Sequence, residues 1–305
     1  MLIKPLCAVD SSIALNAEER LRLEKVFQIE TVSFSQLPLE GLERFDLALV
    51  HSKLSPACLK GLKRCKYIGV RAHNTDYVNA DLAKAQGILV RGIPQVGATA
   101  VAEHTFALIF AITKQLFSYH NNVVEGRWRE GLVPNFELSG KRLGVIGYGK
   151  IGKLVAEMGR VFGMEVLIHT RSGAAVENHC SLSQLLRESD IVTLHASIKS
   201  SDGPLLNESG ISEIKKGAIL INTSRGNLID YTSLEKALIS GNLYGAGLDV
   251  FPEEPITTTG LTQLPNVIGT PHLAFYTDQT LKQMNNYLIS SAIEHYETEY
   301  RGNIE

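Results

Sequence analysis

The run Leu143-Gly144-Val145-Ile146 leads directly into Gly147-Tyr148-Gly149-Lys150-Ile151-Gly152, after which Leu154, Val155, Met158 and Phe162 follow at helical spacing. No other feature of the chain restricts its fold as strongly. A buried strand, a glycine turn and a helix in this order build an anion cradle. The first glycine permits the tight turn, the second lets backbone approach the anion, and the third lets helix pack closely on strand. The helix N-terminus then directs its free N–H groups at the bound group. In this context the GxGxxG pattern predicts dinucleotide binding, with Gly147, Gly149, Lys150, Ile151 and Gly152 around the pyrophosphate.

Around that turn, short apolar runs alternate with helical patterns. The runs are Ala48 to Val50, Tyr67 to Val70, Ile88 to Val90, Leu143 to Ile146, Val166 to Ile168, Ile191 to Leu194, Ala218 to Ile221, Gly245 to Val250 and Val267 to Ile268. Such alternation gives parallel sheets with helical crossovers, the α/β class. A chain of 305 residues exceeds what one core usually organises, so two doubly wound domains are expected. The stretch from Leu143 to about Thr270 is long enough for a complete doubly wound nucleotide-binding unit. Residues 1 to about 93 form a separate α/β block, and Leu281, Met284, Leu288 and Ile289 mark a terminal amphipathic helix from about Phe275 that packs back on that block. The boundaries read as 1–93 plus 275–305 for one domain and 94–274 for the dinucleotide-binding domain. The loop from Trp128 to Pro134 is read as surface structure near a domain or subunit contact.

Composition excludes several classes of function. Hydrophobic residues at 44% and charged residues at 20%, with no low-complexity tract, describe an ordinary globular chain. A formal net charge of -2 without a Lys/Arg-rich block argues against nucleic acid or an anionic membrane as partner. The N-terminal apolar stretch is too short for a secretory signal, which makes the cytoplasm the expected location. Ala98 to Phe117 is strongly apolar but carries Glu103, His104 and Lys114, which favours a buried or subunit-interface helix over a membrane span. Cys7, Cys58, Cys65 and Cys180 form no CxxC pair, so neither a metal site nor a disulfide framework is expected.

About 20 residues past the glycine turn an acidic side chain would clamp the adenosine ribose of NAD. This chain has Thr170-Arg171-Ser172 there. Arg171 can instead pair with the 2′-phosphate of NADP, with Thr170 and Ser172 hydrogen-bonding the same oxygens, so NADP is expected over NAD. Further on come Asn222-Thr223-Ser224-Arg225-Gly226, Gly247-Leu248-Asp249-Val250-Phe251-Pro252-Glu253-Glu254-Pro255 and Thr270-Pro271-His272-Leu273-Ala274. Each lies near the end of a strand, where doubly wound sheets bind ligands.

Together with Val101-Ala102-Glu103-His104 and the run from Asp190 through His195, these segments resemble the D-isomer-specific 2-hydroxyacid dehydrogenases over nearly the whole chain. The resemblance implies a Rossmann-type cofactor domain inserted in a flavodoxin-like substrate domain, and a homodimer formed through the cofactor domain. It implies that Arg225 binds the substrate carboxylate and carbonyl, that His272 is the acid/base and that Glu254 orients it. Further cofactor contacts are implied at Thr99, His195, Thr223, Ser224, Asp249 and Ala274. The chemistry suits these residue types. A guanidinium grips a carboxylate through a fixed fork of donors, and an imidazolium donates a proton near neutral pH to the oxygen that gains charge as hydride arrives.

Arg71-Ala72-His73-Asn74-Thr75-Asp76 resembles the family's substrate loop, whose backbone amides meet the carboxylate; Ala72, His73 and Asn74 are the expected contacts. His73-Asn74 departs from the family's small, often glycine-containing pair, and the alternative reading is an ordinary turn held by Asn74 and Asp76. His195-Ala196-Ser197 also departs, since proline is common at the third place. Phe275, in Ala274-Phe275-Tyr276-Thr277, resembles the pocket-closing aromatic of the D-lactate dehydrogenase branch, whereas Thr170-Arg171-Ser172 points to the glyoxylate and hydroxypyruvate reductase branch. Glyoxylate, pyruvate and hydroxypyruvate are all candidate substrates, ahead of a bulky phosphorylated acid. Formate dehydrogenase shares the architecture but places Gln where this chain has Glu254. A dinucleotide-sensing corepressor is the alternative from another class. Arg171→Ala is expected to raise the KM for NADPH far more than that for NADH in steady-state assays; equal effects would remove Arg171 from the cofactor site.

Overall fold

A parallel strand covered on both faces must be apolar throughout, and Leu47–Val50 and Tyr67–Val70 are buried along their whole length. They centre the first of two sheets in the computed structural model, which describes residues 4–34, 41–171, 173, 177–197, 203–256 and 260–301. The chain divides into two compact units, one of Met1–Gly97 and Thr277–Glu305, the other of Ala98–Tyr276. These cuts fall a few residues beyond the boundaries drawn from sequence.

The first unit runs β1 (Leu6–Asp10), α1 (Ala17–Val26), β2 (Gln28–Val32), β3 (Leu47–Val50), α2 (Pro56–Gly61), β4 (Tyr67–Val70), α3 (Ala80–Ala85) and β5 (Leu89–Gly92). Its strands pair in parallel in the order β2-β1-β3-β4-β5, the flavodoxin-like winding. Asn16, Ser55 and Asn79 cap the helices with their side chains, and Asn16 with Glu19 forms a complete capping box. β1 and β2 escape the apolar-run reading. β1 ends in the buried polar Asp10, and β2 is an edge strand in which polar residues interrupt the apolar pattern.

The second unit holds α4 (Ala98–Thr113), α5 (Leu116–Val124), β6 (Arg142–Ile146), α6 (Lys150–Val161), β7 (Glu165–His169), α7 (Leu182–Glu188), β8 (Ile191–Leu194), α8 (Glu208–Glu213), β9 (Ala218–Asn222), α9 (Tyr231–Ile239), β10 (Leu243–Leu248), α10 (Gly260–Gln263) and β11 (Val267–Gly269). The sheet order is β11-β10-β9-β8-β6-β7, all parallel. This is a Rossmann-type order whose outer place beside β7 is taken by a single parallel bridge from Ile168 to His179. The direction of winding switches at β6, so the glycine turn after β6 and the loop after β8 open side by side.

The chain returns to the first unit as α11 (Asp278–Tyr296), capped by Thr277 rather than starting near Phe275. Thr277 accepts from the Thr280 amide, and Leu288 lies so close to Gly69 of β4 that a Cβ there would meet its Cδ1 at 2.9 Å. The buried Asn285 donates to the Ala14 carbonyl and the Glu19 carboxylate, both at 3.0 Å, which ties the terminal helix to the start of the chain. Tyr67 adds a 2.8 Å hydrogen bond to Ser291. Among the described residues no helix is long and apolar enough to cross a membrane, and α4 is instead largely buried. All four cysteines are free thiols, with Cys7, Cys58 and Cys65 buried; burial pushes the Cys65 thiol up to about 12.

Candidate active site

The glycine turn is shaped by what a side chain would strike. Gly147 has a φ of 94°, and a Cβ there would collide with the His195 backbone after β8. A Cβ on Gly152 would collide with the Gly147 carbonyl, so helix and strand could not close. At Gly149, by contrast, nothing lies within 4 Å of the place a Cβ would take. Gly149 begins α6 with no side-chain cap, which leaves the first-turn amides at Lys150 and Ile151 to a ligand. These features fit a dinucleotide pyrophosphate.

His195 borders this turn. Its Nε2 lies 2.9 Å from the Thr193 hydroxyl, and its Nδ1 is enclosed without a hydrogen-bond partner among the described residues. Burial pushes its pKa down to about 3, so the ring is neutral and presents one unused polar atom. At the end of β7, Thr170 is half-buried and Arg171 exposed, with no carboxylate in either place, and Ser172 lies outside the described residues. Sequence reading missed His179 here. Its ring stacks on that of His169 at 6.0 Å and its Nε2 lies 3.4 Å from the Thr170 carbonyl. Thr99 is exposed on the first turn of α4.

Three loops at the carboxyl ends of β9, β10 and β11 form a cavity of about 260 Å³ lined by Arg225, Asn227, Phe251, Glu254 and His272 among others. Arg225 ends the β9 turn, where the buried Asn222 holds the backbone by donating to the Arg225 carbonyl at 2.8 Å and accepting from the Ser224 amide at 3.0 Å. Ser224 donates to the Leu194 carbonyl at 2.7 Å, and the hydroxyls of Thr223 and Thr105 meet at 3.0 Å. Next to Arg225, Gly226 presses against the backbone of Phe251 and Pro252 so tightly that no side chain fits. That closeness brings the arginine turn against the loop bearing Glu254.

Glu254 divides its carboxylate. Oε1 accepts from the Phe251 amide at 3.0 Å, and Oε2 lies 2.6 Å from His272 Nδ1. Tyr231, whose phenol burial pushes up in pKa, supports the loop from within by donating to the Val250 carbonyl at 2.6 Å. His272 itself has a φ of 52°, a left-handed conformation that a non-glycine residue keeps only when its surroundings hold it. Asp249 does so. Fully buried, it accepts from the Thr270 hydroxyl at 2.6 Å and from the amides of Leu273 and Ala274, both at 2.9 Å. These bonds set Asp249 beneath the His272 turn. Ala274 is buried on the same turn, and Phe275 stands edge-on to His272 at 6.2 Å.

In the first unit, the loop after β4 carries Ala72, His73 and Asn74. A Cβ on Gly92 would meet the Ala72 and His73 carbonyls at 2.7 and 2.8 Å, and Ile93 donates to Ala72 at 2.9 Å, so β5 supports this loop closely. Asn74 donates to Asp76 at 2.7 Å, as the turn reading expects. The amides of His73 and Asn74 donate to no group among the described residues.

A dinucleotide cradle and an Arg–Glu–His group at the carboxyl ends of one parallel sheet define an oxidoreductase of the nucleotide-dependent class. Residues 106–274 match the family described as D-isomer specific 2-hydroxyacid dehydrogenase, NAD binding domain. The chain is 32% identical over 266 residues to a glycerate dehydrogenase of Methylorubrum extorquens, covering 83% of each, and 37% identical over 250 residues to a glyoxylate reductase of Aeropyrum pernix, covering 77% of this chain and 75% of that one. A D-lactate dehydrogenase from Aquifex aeolicus, solved with NAD and lactic acid, superposes with a TM-score of 0.83 at 31% identity, covering 97% of this chain and 96% of that one. The chain belongs to the D-isomer specific 2-hydroxyacid dehydrogenases.

The contact at Gly226 generates a sharp expectation. Gly226→Ala should separate the Arg225 and Glu254 turns and lower turnover about 100-fold or more, while fluorescence titration shows the cofactor still bound. Undiminished turnover would contradict the coupling of the two turns.

Proposed function

We propose that this enzyme reduces a small 2-keto acid to the D-2-hydroxy acid and prefers NADPH to NADH. The observation that carries the proposal is the 2.6 Å pairing of His272 Nδ1 with Glu254 in a small cavity that Arg225 also lines. With Nδ1 committed to the carboxylate, Nε2 is the ring atom left to exchange a proton with substrate. Arg225 uses one terminal nitrogen on the Ser224 carbonyl at 2.6 Å and offers the rest of its fork to the substrate carboxylate. The nicotinamide, when bound, supplies the hydride to the keto carbon. The carbonyl electron pair moves to oxygen, His272 Nε2 gives that oxygen a proton, and Glu254 stabilises the ring while it is charged. In hydroxy-acid oxidation the same nitrogen takes the proton back.

The cofactor would be held by the amides of the Gly147–Gly152 turn, with Thr99, His195, Thr223, Ser224 and Ala274 as further contacts. The missing carboxylate at Thr170 and the exposed Arg171 beside it support the preference for a 2′-phosphate. In the first unit, the amides of His73 and Asn74, with Ala72, are assigned to the substrate carboxylate. The edge-on Phe275 beside His272 favours small side chains, and the glyoxylate and glycerate chemistry of the relatives makes glyoxylate and hydroxypyruvate the first acids to try, with pyruvate next. The dinucleotide-sensing alternative is not favoured, since those relatives are a reductase and a dehydrogenase.

The enzyme is further proposed to act as a homodimer through the second unit. Support comes from α5 and the loop after it, where Phe117, Val124, Trp128 and Val133 are all more than half exposed; α4, read from sequence as a buried or subunit-interface helix, is mostly buried in its own unit. Oxidation of NADPH and NADH should be followed against glyoxylate, hydroxypyruvate, pyruvate and larger 2-keto acids. Turnover on the small acids, faster with NADPH and lost in His272→Ala, is the expected result. Tight cofactor binding with no turnover on any acid would overturn the proposal.

A further inference from the structure

His104 lies one helical turn before Leu108 on the face of α4 that meets β10. There the sheet has no side chain at Gly247, where a Cβ would come within 3.0 Å of the Leu108 Cβ. Without that close seating α4 would stand further from the sheet. As it is, the helix reaches both loops of the active site. Thr105 meets Thr223 on the arginine side, and His104 Nε2 lies 3.0 Å from Thr270 Oγ1 on the histidine side.

The hydrogen positions on this side follow from valence. The Asp249 carboxylate only accepts, so the Thr270 hydroxyl spends its one hydrogen on Asp249 Oδ1 at 2.6 Å. Thr270 oxygen must then accept from His104, which requires a hydrogen on Nε2. That nitrogen is also 3.6 Å from Asp249 Oδ1, so its N–H dipole favours the carboxylate directly as well. The chain of donors runs His104 to Thr270 to Asp249, and Asp249 holds Leu273 and Ala274 by its side chain and the His272 amide by its carbonyl at 2.8 Å. All of these converge on the left-handed backbone that aims the His272 ring at Glu254.

We propose that His104 is a positioning residue for the reaction, fixing the His272 turn by donating a hydrogen bond from Nε2 to Thr270 and so locking Thr270 onto Asp249. This rests on the assignment of His272 as proton donor. The Arg225 turn is held by other bonds, through Asn222, Ser224 and Thr223, so loss of His104 should disturb proton transfer without disturbing carboxylate binding.

The test compares His104→Ala and His104→Gln with the unmodified full-length enzyme. Glutamine can place an N–H donor where Nε2 stands; alanine cannot. His104→Ala should lower kcat for keto-acid reduction about 10- to 100-fold with the KM for the keto acid changed less than about twofold, and His104→Gln should recover kcat to within about threefold. Hydrogen exchange read at the Leu273 and Ala274 amides should speed up in His104→Ala and return toward the original rate in His104→Gln. Equal kcat in all three proteins, equal loss in both variants, or a KM effect without a kcat effect would overturn the proposal. If the unmodified protein reduces no keto acid, the functional assignment fails on its own, and hydrogen exchange still decides whether His104 fixes the turn: unchanged exchange in His104→Ala overturns it.

Discussion

The carboxylate of Asp249 is wholly enclosed, and a buried charge is tolerated only where donors satisfy it. The donors come from the three residues that most affect where His272 stands: Thr270 before it, and Leu273 and Ala274 after it. Desolvation and geometry are thus coupled. To leave Asp249 unsatisfied would be costly, so the turn adopts the one shape that satisfies it, and that shape includes a positive φ at His272. Glu254 then meets the imidazole from a second loop, itself pressed against the arginine turn at Gly226. The chemistry is presented by exposed side chains, but their placement is decided by buried ones.

The glycine turn obeys a parallel logic with the signs reversed. Backbone proximity at Gly147 and Gly152 excludes any side chain, whereas Gly149 faces open space at a helix end without a side-chain cap. The cofactor cradle is therefore an arrangement of unspent N–H groups, and the catalytic turns are an arrangement of spent ones. Both stand along the carboxyl edge of one sheet because all of its strands run parallel.

How much of this was legible in the sequence depends on how far apart the partners lie along the chain. Strands β4 and β8 were read residue for residue, since strands buried on both faces are apolar without interruption. β1 and β2 were not: one ends in a buried aspartate, and the other is an edge strand whose polar residues interrupt the apolar pattern. Arg225, Glu254 and His272 were legible through short motifs, and the structure gathers them around one cavity. The part Asp249 plays in holding the His272 turn was not legible, because the amides that donate to it lie 24 and 25 residues later and leave no mark on its own motif. For the same reason His104 was read only as part of a helix motif, with no role of its own, and Tyr231 was not singled out. A histidine on an apolar helix and a tyrosine at a helix start gain meaning only from what folding sets against them.

The central claim is that the His272 and Glu254 pair moves the proton while Arg225 holds the acid. It is tested most directly by kcat against pH for reduction and for hydroxy-acid oxidation, measured where a deuterium isotope effect on the transferred hydride shows that chemistry limits turnover. Reduction needs the imidazolium and oxidation the neutral ring. The account therefore predicts that the first falls and the second rises with increasing pH, and that both trends disappear in His272→Ala. A reduction rate that stays flat across the range in which histidine titrates, with the isotope effect fully expressed, would contradict it.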